Sequence, residues 1–214
     1  MIKINTIITN VLREQTYILS DETHKCVIID PGFQSIREKD SISCFLQNQN
    51  LEVEAVWFTH LHLDHIMGAE YIVDKYHVPT YACQLDMPLL KANKALAMAW
   101  GIDFDADNII INHFISDGDE MLFGNSKLKA LHVPGHSPGS IAFYSAEDAF
   151  CISGDVLFQC SIGRSDLYGG DEYQLLDSIR QKLLTLPSDT TILPGHGYAT
   201  TIEYELTHNP YLKR

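Results

Sequence analysis

The first thirty residues alternate apolar and polar positions, then close into an unbroken apolar run, Cys26-Val27-Ile28-Ile29, stopped by Asp30-Pro31-Gly32. Alternation with period two marks half-buried strands, and a short apolar run bounded by turn residues marks a fully buried one. The pattern predicts strands near 2–8, 16–20 and 25–29. Ile36, Ile42, Phe45 and Leu46 then recur at near-helical spacing and predict a helix over about 35–49. Ala55-Val56-Trp57-Phe58 is another buried strand, and it delivers the chain directly into Thr59-His60.

From Asp64 to about Tyr76, Ile66, Ala69, Tyr71 and Ile72 offer one apolar helical face, ended by Pro79. A short strand is expected from Thr80 to Cys83, and the Leu-, Ala-, Met- and Lys-rich stretch 84–99 favours helix. Asp117-Gly118-Asp119 opens a β-rich stretch with strands near 120–123, 127–133, 140–145 and 149–153. A helix over 171–186, a strand over 190–193 and a short helix after Thr200 complete the chain. This order, in two comparable halves, suits an α/β fold of two sheets packed face to face with helices outside, a four-layer αββα sandwich. Periodicity alone leaves other α/β arrangements open.

No Pro/Gly/Ser-rich linker or internal repeat divides the 214 residues, so a single domain over 1–214 is expected. The 15 Lys and Arg against 28 Asp and Glu give a formal net charge of −13. Such a surface repels phosphate backbones and anionic lipid, which argues against nucleic acid and membrane partners. Five scattered cysteines without a CxxC pair fit free thiols in a reducing compartment. With no signal-peptide pattern at the N-terminus and no long apolar run, a cytoplasmic protein is expected.

The chemistry concentrates in Thr59-His60-Leu61-His62-Leu63-Asp64-His65, three imidazoles and a carboxylate at the exit of a buried strand. In an extended stretch His60 and His62 point the same way, and Asp64 and His65 fall where the next helix starts. Neutral imidazole and carboxylate are ligands for zinc, iron and manganese. A lone histidine is usually a satisfied structural residue, but burying three beside an aspartate without metal would leave costly polar groups. Three further strand ends carry the same residue types: His136 in His132-Val133-Pro134-Gly135-His136, Asp155 after Phe150–Gly154, and His196 in Pro194-Gly195-His196-Gly197. Each alone is an ordinary turn; together they favour convergence on one site.

In these motifs the sequence resembles the metallo-β-lactamase superfamily, whose HxHxDH pattern is followed by a downstream His, Asp and His. The resemblance implies that His60, His62 and His136 hold one metal and Asp64, His65 and His196 a second, with Asp155 bridging. The implied cofactors are two divalent ions: zinc, with iron or manganese as alternatives. Within the superfamily, the HSPGS turn (136–140), the loop Ser161-Ile162-Gly163-Arg164-Ser165-Asp166 and the PGHG turn resemble short bacterial glyoxalase II-like hydrolases. That implies thioester hydrolysis, as of S-lactoylglutathione, by attack of a metal-bridging hydroxide, with Asp64 accepting a proton. The sequence runs 18 residues past His196, so the C-terminal helical domain of full-length glyoxalase II, which supplies much of its glutathione site, is expected to be missing.

Arg164 is a candidate to hold a substrate carboxylate, with an ordinary surface ion pair as the equal alternative. Tyr144, Tyr168, Tyr173 and Tyr198 suit packing as well as a pocket, and Cys160 is expected to be a bystander. His24, His77, His113, His132 and His208 are expected not to be ligands, His132 least securely because it neighbours His136. The nearest rival is a mononuclear iron persulfide dioxygenase, a relative with similar motifs; a metal-binding protein without catalysis is a further alternative. True β-lactamases are disfavoured by the absent signal peptide and by aspartate rather than cysteine at 155. The expected partner is a small-molecule thioester, and the expected assembly a monomer or small homo-oligomer.

Overall fold

The N-terminal alternation forms a hairpin in which β1 (Lys3–Thr9) pairs antiparallel with β2 (Glu14–Ser20), in register Lys3↔Ser20 to Thr9↔Glu14. In the computed structural model, residues 1–213 are described. Every residue of β2 is buried, as is the apolar run of β3 (Lys25–Ile29), whereas β1 leaves alternate positions exposed. Helix α1 (Ile36–Asn48) starts at a capping box: Ser35 Oγ accepts from Glu38 N while the Glu38 carboxylate accepts from Ser35 N. Buried Ile42 and Leu46 lie four residues apart on its inner face. It leads to β4 (Glu52–Trp57), parallel to β3.

The single helix expected over 64–76 is two: α2 (Leu63–Ile66) and α3 (Ala69–Tyr76). They part at Gly68, whose N–H donates to Pro31 O at 2.7 Å instead of continuing α2. β5 (Thr80–Ala82) follows, then a 3₁₀ turn at Gln84–Asp86 and α4 (Met87–Trp100), closed by Gly101 at φ 67°. A two-residue strand, β6 (His113–Phe114), ends the first sheet, whose order is β1-β2-β3-β4-β5-β6.

The β-rich stretch supplies β7 (Glu120–Phe123), β8 (Ser126–His132), β9 (Ile141–Ser145) and β10 (Phe150–Gly154), close to their expected bounds. A small separate hairpin, β11 (Leu157–Phe158) with β12 (Ser161–Ile162), was not expected from periodicity. The helix expected over 171–186 is shorter: α5 (Glu172–Ser178) passes into a π-helical turn, Ile179–Leu183, where Leu184 N donates to Ile179 O. Leu175, Ile179 and Leu183 are all fully buried along this run. β13 (Thr191–Pro194), β14 (Thr200–Thr201) and α6 (Ile202–His208) follow, giving a second sheet of order β14-β13-β10-β9-β8-β7.

Contacts group the chain into two units, residues 1–114 with 122–126, and residues 115–121 with 127 onward. The first has its own core, including Ile18, Ile28, Ile42, Leu46, Val56 and Phe58. The core of the second includes Leu131, Val133, Ala142, Cys151, Leu175 and Ile192. Among the described residues, no helix is long and apolar enough to cross a membrane.

Candidate metal centre

In the first unit, β4 ends at Trp57 and the extended segment beyond it carries Thr59 to His62 into α2, whose first turn bears Asp64 and His65. His60 and His65 are buried; His62 and Asp64 are half-buried. The His60 and His62 rings meet edge to face at 4.7 Å between centroids, and those of His60 and His65 lie 4.1 Å apart. The contiguous motif thus draws three imidazoles together, with Asp64 Oδ2 3.8 Å from His65 Nε2.

What fixes these rings is a residue the sequence pattern identified only as a strand stop. Asp30, buried and at φ 50°, accepts from Thr59 N (2.7 Å) and Thr59 Oγ1 (2.5 Å). Its Oδ2 also lies 3.0 Å from His65 Nδ1, while His60 Nδ1 lies 3.0 Å from Thr59 Oγ1. Because Thr59 Oγ1 gives its proton to Asp30, it receives one from His60 Nδ1–H. Both Nδ1 atoms are therefore committed as donors, and both Nε2 atoms keep their lone pairs for a metal. Asp30, His60 and His65 also lie close enough together to surround an ion themselves; the hydrogen bonds argue instead that Asp30 acts from behind the rings. Beneath them, Glu14 accepts from Thr9 Oγ1 (2.6 Å) and Thr16 Oγ1 (3.0 Å), and burial holds its carboxyl well above the usual carboxylate range.

In the second unit the donors come from three separate turns. Asp155 follows β10, and Gly195 N donates to Gly154 O at 2.9 Å, tying the end of β13 to the end of β10. His196 Nε2 thereby lies 3.6 Å from Asp155 Oδ2, and His136 Nε2 lies 3.8 Å from the same oxygen. These spacings exceed hydrogen-bond length. They fit donor pairs that each meet on an ion with bonds of about 2.0–2.2 Å. His136, buried, turns its Nδ1 to the main-chain oxygen of Arg164 at 2.8 Å, which again leaves Nε2 as the metal-facing atom.

Two glycines allow this crowding. A Cβ on Gly163 would stand 1.8 Å from Asp155 O and 3.3 Å from His136 Nδ1, and one on Gly135 (φ 129°) would stand 2.2 Å from Leu175 N. No side chain fits at either position without moving backbone.

The donor set, imidazole and carboxylate with Nδ1 of His60, His65 and His136 already engaged, fits divalent metal. The Arg164 guanidinium lies outside it, exposed and paired with Asp166 through Nε (2.8 Å) and Nη2 (2.9 Å). The other five histidines have separate positions. His132 Nε2 meets Pro138 O at 2.9 Å, His113 stacks on Tyr81, and His208 stacks on Tyr204. His24 and His77 occupy left-handed turn positions. Sequence reasoning missed Asp30 and Glu14, which lie outside any ligand motif. The signal available for Asp30 was its place at the end of a buried strand.

The family description of the metallo-beta-lactamase superfamily matches residues 10–196, and the chain belongs to that superfamily and has its fold. It is a metal-dependent hydrolase of that superfamily, whose members bind divalent metals. It is similar to a probable metallo-hydrolase, YqgX, of Bacillus subtilis, with 39% identity over 199 residues covering 92% of this chain and 90% of that one. It is also similar to the hydroxyacylglutathione hydrolase GloC of Haemophilus influenzae, with 33% identity over 91% of both chains. Among solved structures, BLEG-1, a B3 metallo-beta-lactamase, matches with a TM-score of 0.90 and 34% identity over the whole of both chains. TTHA1623 in a di-iron-bound form matches with a TM-score of 0.87 and 35% identity, over 97% of this chain and 100% of that one.

Proposed function

We propose that the protein is a binuclear thioesterase acting on S-lactoylglutathione or a related hydroxyacyl thioester. The observation that carries the reading is the placement of His136 and His196 Nε2 at 3.8 and 3.6 Å on one oxygen of Asp155, the arrangement a bridging carboxylate needs. His60, His62 and His136 hold one ion, and Asp64, His65 and His196 hold the other. Zinc suits this donor set; iron and manganese are alternatives, and the di-iron form of TTHA1623 gives iron weight.

A metal pair held by these residues would lower the pKa of a bound water from about 15.7 towards 7 and polarise a carbonyl. Asp64, half-buried and 3.8 Å from His65 Nε2, takes the proton released as water adds to the thioester carbonyl. Asp30 keeps His60 and His65 in the tautomer that leaves Nε2 unprotonated. The C–S bond then breaks, and the thiolate departs without needing an acid. GloC, named for hydroxyacylglutathione hydrolysis, supports this substrate class. The likeness to BLEG-1 favours one second reading, opening of a β-lactam amide. Five cysteines, none in a disulfide, support a reducing, cytosolic setting.

The test is metal content on protein purified without added metal, paired with turnover of S-lactoylglutathione and of a chromogenic β-lactam. Close to two equivalents of metal, with thioester turnover abolished by His62→Ala, is the expected result. One equivalent of iron with oxygen uptake on glutathione persulfide would replace it with a dioxygenase, and β-lactam turnover alone with a lactamase.

A further inference from the structure

Within the second unit, a hollow of about 380 Å³ opens beside His196, a volume in the range of small-molecule pockets, roughly 300–1,000 Å³. Its walls are the β11–β12 hairpin and the turn that carries His196: Phe158, Ile162 and Tyr198 give ring and aliphatic surface, and Gln159 and Ser161 give uncharged polar edges. No Lys, Arg, Asp or Glu stands among the described residues that line it. In a chain of net charge −13 this is a neutral, mainly apolar wall against a candidate metal ligand.

The hairpin is held to a degree its size does not explain. Two-residue strands are marginal alone, and Cys160, at φ 56°, sits in a region that disfavours non-glycine residues. A brace of fully buried polar groups from the last segment of the chain keeps it in place. Glu205 accepts from Cys160 N (2.9 Å), Thr200 Oγ1 (2.6 Å) and Asn209 Nδ2 (2.7 Å), while Asn209 Nδ2 also donates to Ser161 O at 3.0 Å. Locked supporting groups beneath a surface wall are what a binding site requires of its scaffold. Backbone strain that is held by its surroundings gathers at such sites.

We propose that this hollow is a substrate subsite for an uncharged, mainly apolar chain attached to the scissile carbonyl group, either the acyl chain or the carbon chain of the thiol. The assignment rests on the hydrolase reading above and deepens it: the arm that enters the hollow is aliphatic rather than charged. Glu205 and Asn209 are positioning residues, which act by fixing the hairpin.

The test uses the metal-loaded enzyme with two series of N-acetylcysteamine-type thioesters, one lengthening the acyl chain from acetyl to hexanoyl, the other lengthening an alkyl thiol on a constant acetyl group. A third arm uses uncleavable alkyl thioethers, with binding followed by calorimetry on the same protein. One series is expected to gain about fourfold in kcat/KM per methylene, carried by KM, and the thioethers to tighten by the same factor. Phe158→Ala and Ile162→Asp should flatten that slope, and Glu205→Gln should flatten it in part. The thioethers should shift the amide signals of residues 158–162 and 198. The series that responds identifies which side of the substrate the hollow takes. Thioester turnover with no chain-length slope and no thioether binding would overturn the subsite while leaving the thioesterase. Thioether binding without turnover of any thioester would uphold the subsite and remove the thioesterase.

Discussion

Both units carry candidate metal-binding imidazoles close to strand ends, yet they hold them by different means. In the first unit the donors are consecutive, and a buried side chain fixes them: Asp30 reaches His65 directly and His60 through Thr59. In the second the donors are spread over three turns, and main chain fixes them: the Arg164 carbonyl holds His136, and Gly163 lets the Asp155 backbone come close. Side-chain support can be altered by a single substitution that spares the fold. Main-chain support is insensitive to the side chain that carries the carbonyl but intolerant of added volume. The two units therefore fail differently when mutated.

Gly163→Ala gives the largest expected effect. Its new Cβ meets Asp155 O, so the second unit should lose roughly 3–5 kcal/mol in chemical denaturation, among the severe single-site losses. Equal stability of the variant and the parent would show that the backbone relaxes freely there. Next comes Asp30→Asn, which should weaken metal binding about 10–100-fold in competitive chelator titration. Arg164→Ala, which keeps the carbonyl that holds His136, should leave metal affinity unchanged; a loss there matching that of Asp30→Asn would erase the contrast.

Asp21, in the first unit, offers a smaller and pH-dependent effect. Burial pushes its carboxyl up, but hydrogen bonds from Thr23 N and Oγ1, Asn125 N and Ser126 Oγ outweigh this and hold it below the usual range. A depressed folded pKa contributes stability above the unfolded value, near 3.9, that is lost as pH falls through the folded value. Asp21→Asn should cost about 1 kcal/mol at neutral pH, with the gap to wild type closing on acidification; a gap constant with pH would count against this account. The smallest effect is one in which the units agree. Burial pushes the Cys26 thiol in the first unit and the Cys151 thiol in the second up to about 12. Both should resist alkylation in the native protein while exposed Cys44 reacts, as peptide mapping after brief labelling would report.

The candidate ligand residues stood out in the sequence because each follows, within a few residues, an apolar run long enough to be read as a strand. Elements of two residues did not: β6, β11, β12 and β14 are too short for a period to repeat. The break between α2 and α3 depends on a hydrogen bond from Gly68 to Pro31, a partner no local pattern encodes. The π turn at Ile179–Leu183 likewise hides within an otherwise helical pattern. Asp30 and Glu14 escaped for a related reason: His65, the imidazole they support, lies 35 and 51 residues away in sequence. Local pattern marks what a strand end presents, and only the fold tells what stands behind it.

For remodelling the hollow, Gly163 divides neighbouring positions into open and closed ground. Ser161 and Ile162, half-buried on the wall, accept many side chains at modest cost. One residue further, the place a side chain would take is already filled by the main chain of Asp155. Selection or design can rewrite the wall residue by residue up to 162. Any path through sequence space that changes 163 must rebuild the Asp155 turn in the same step.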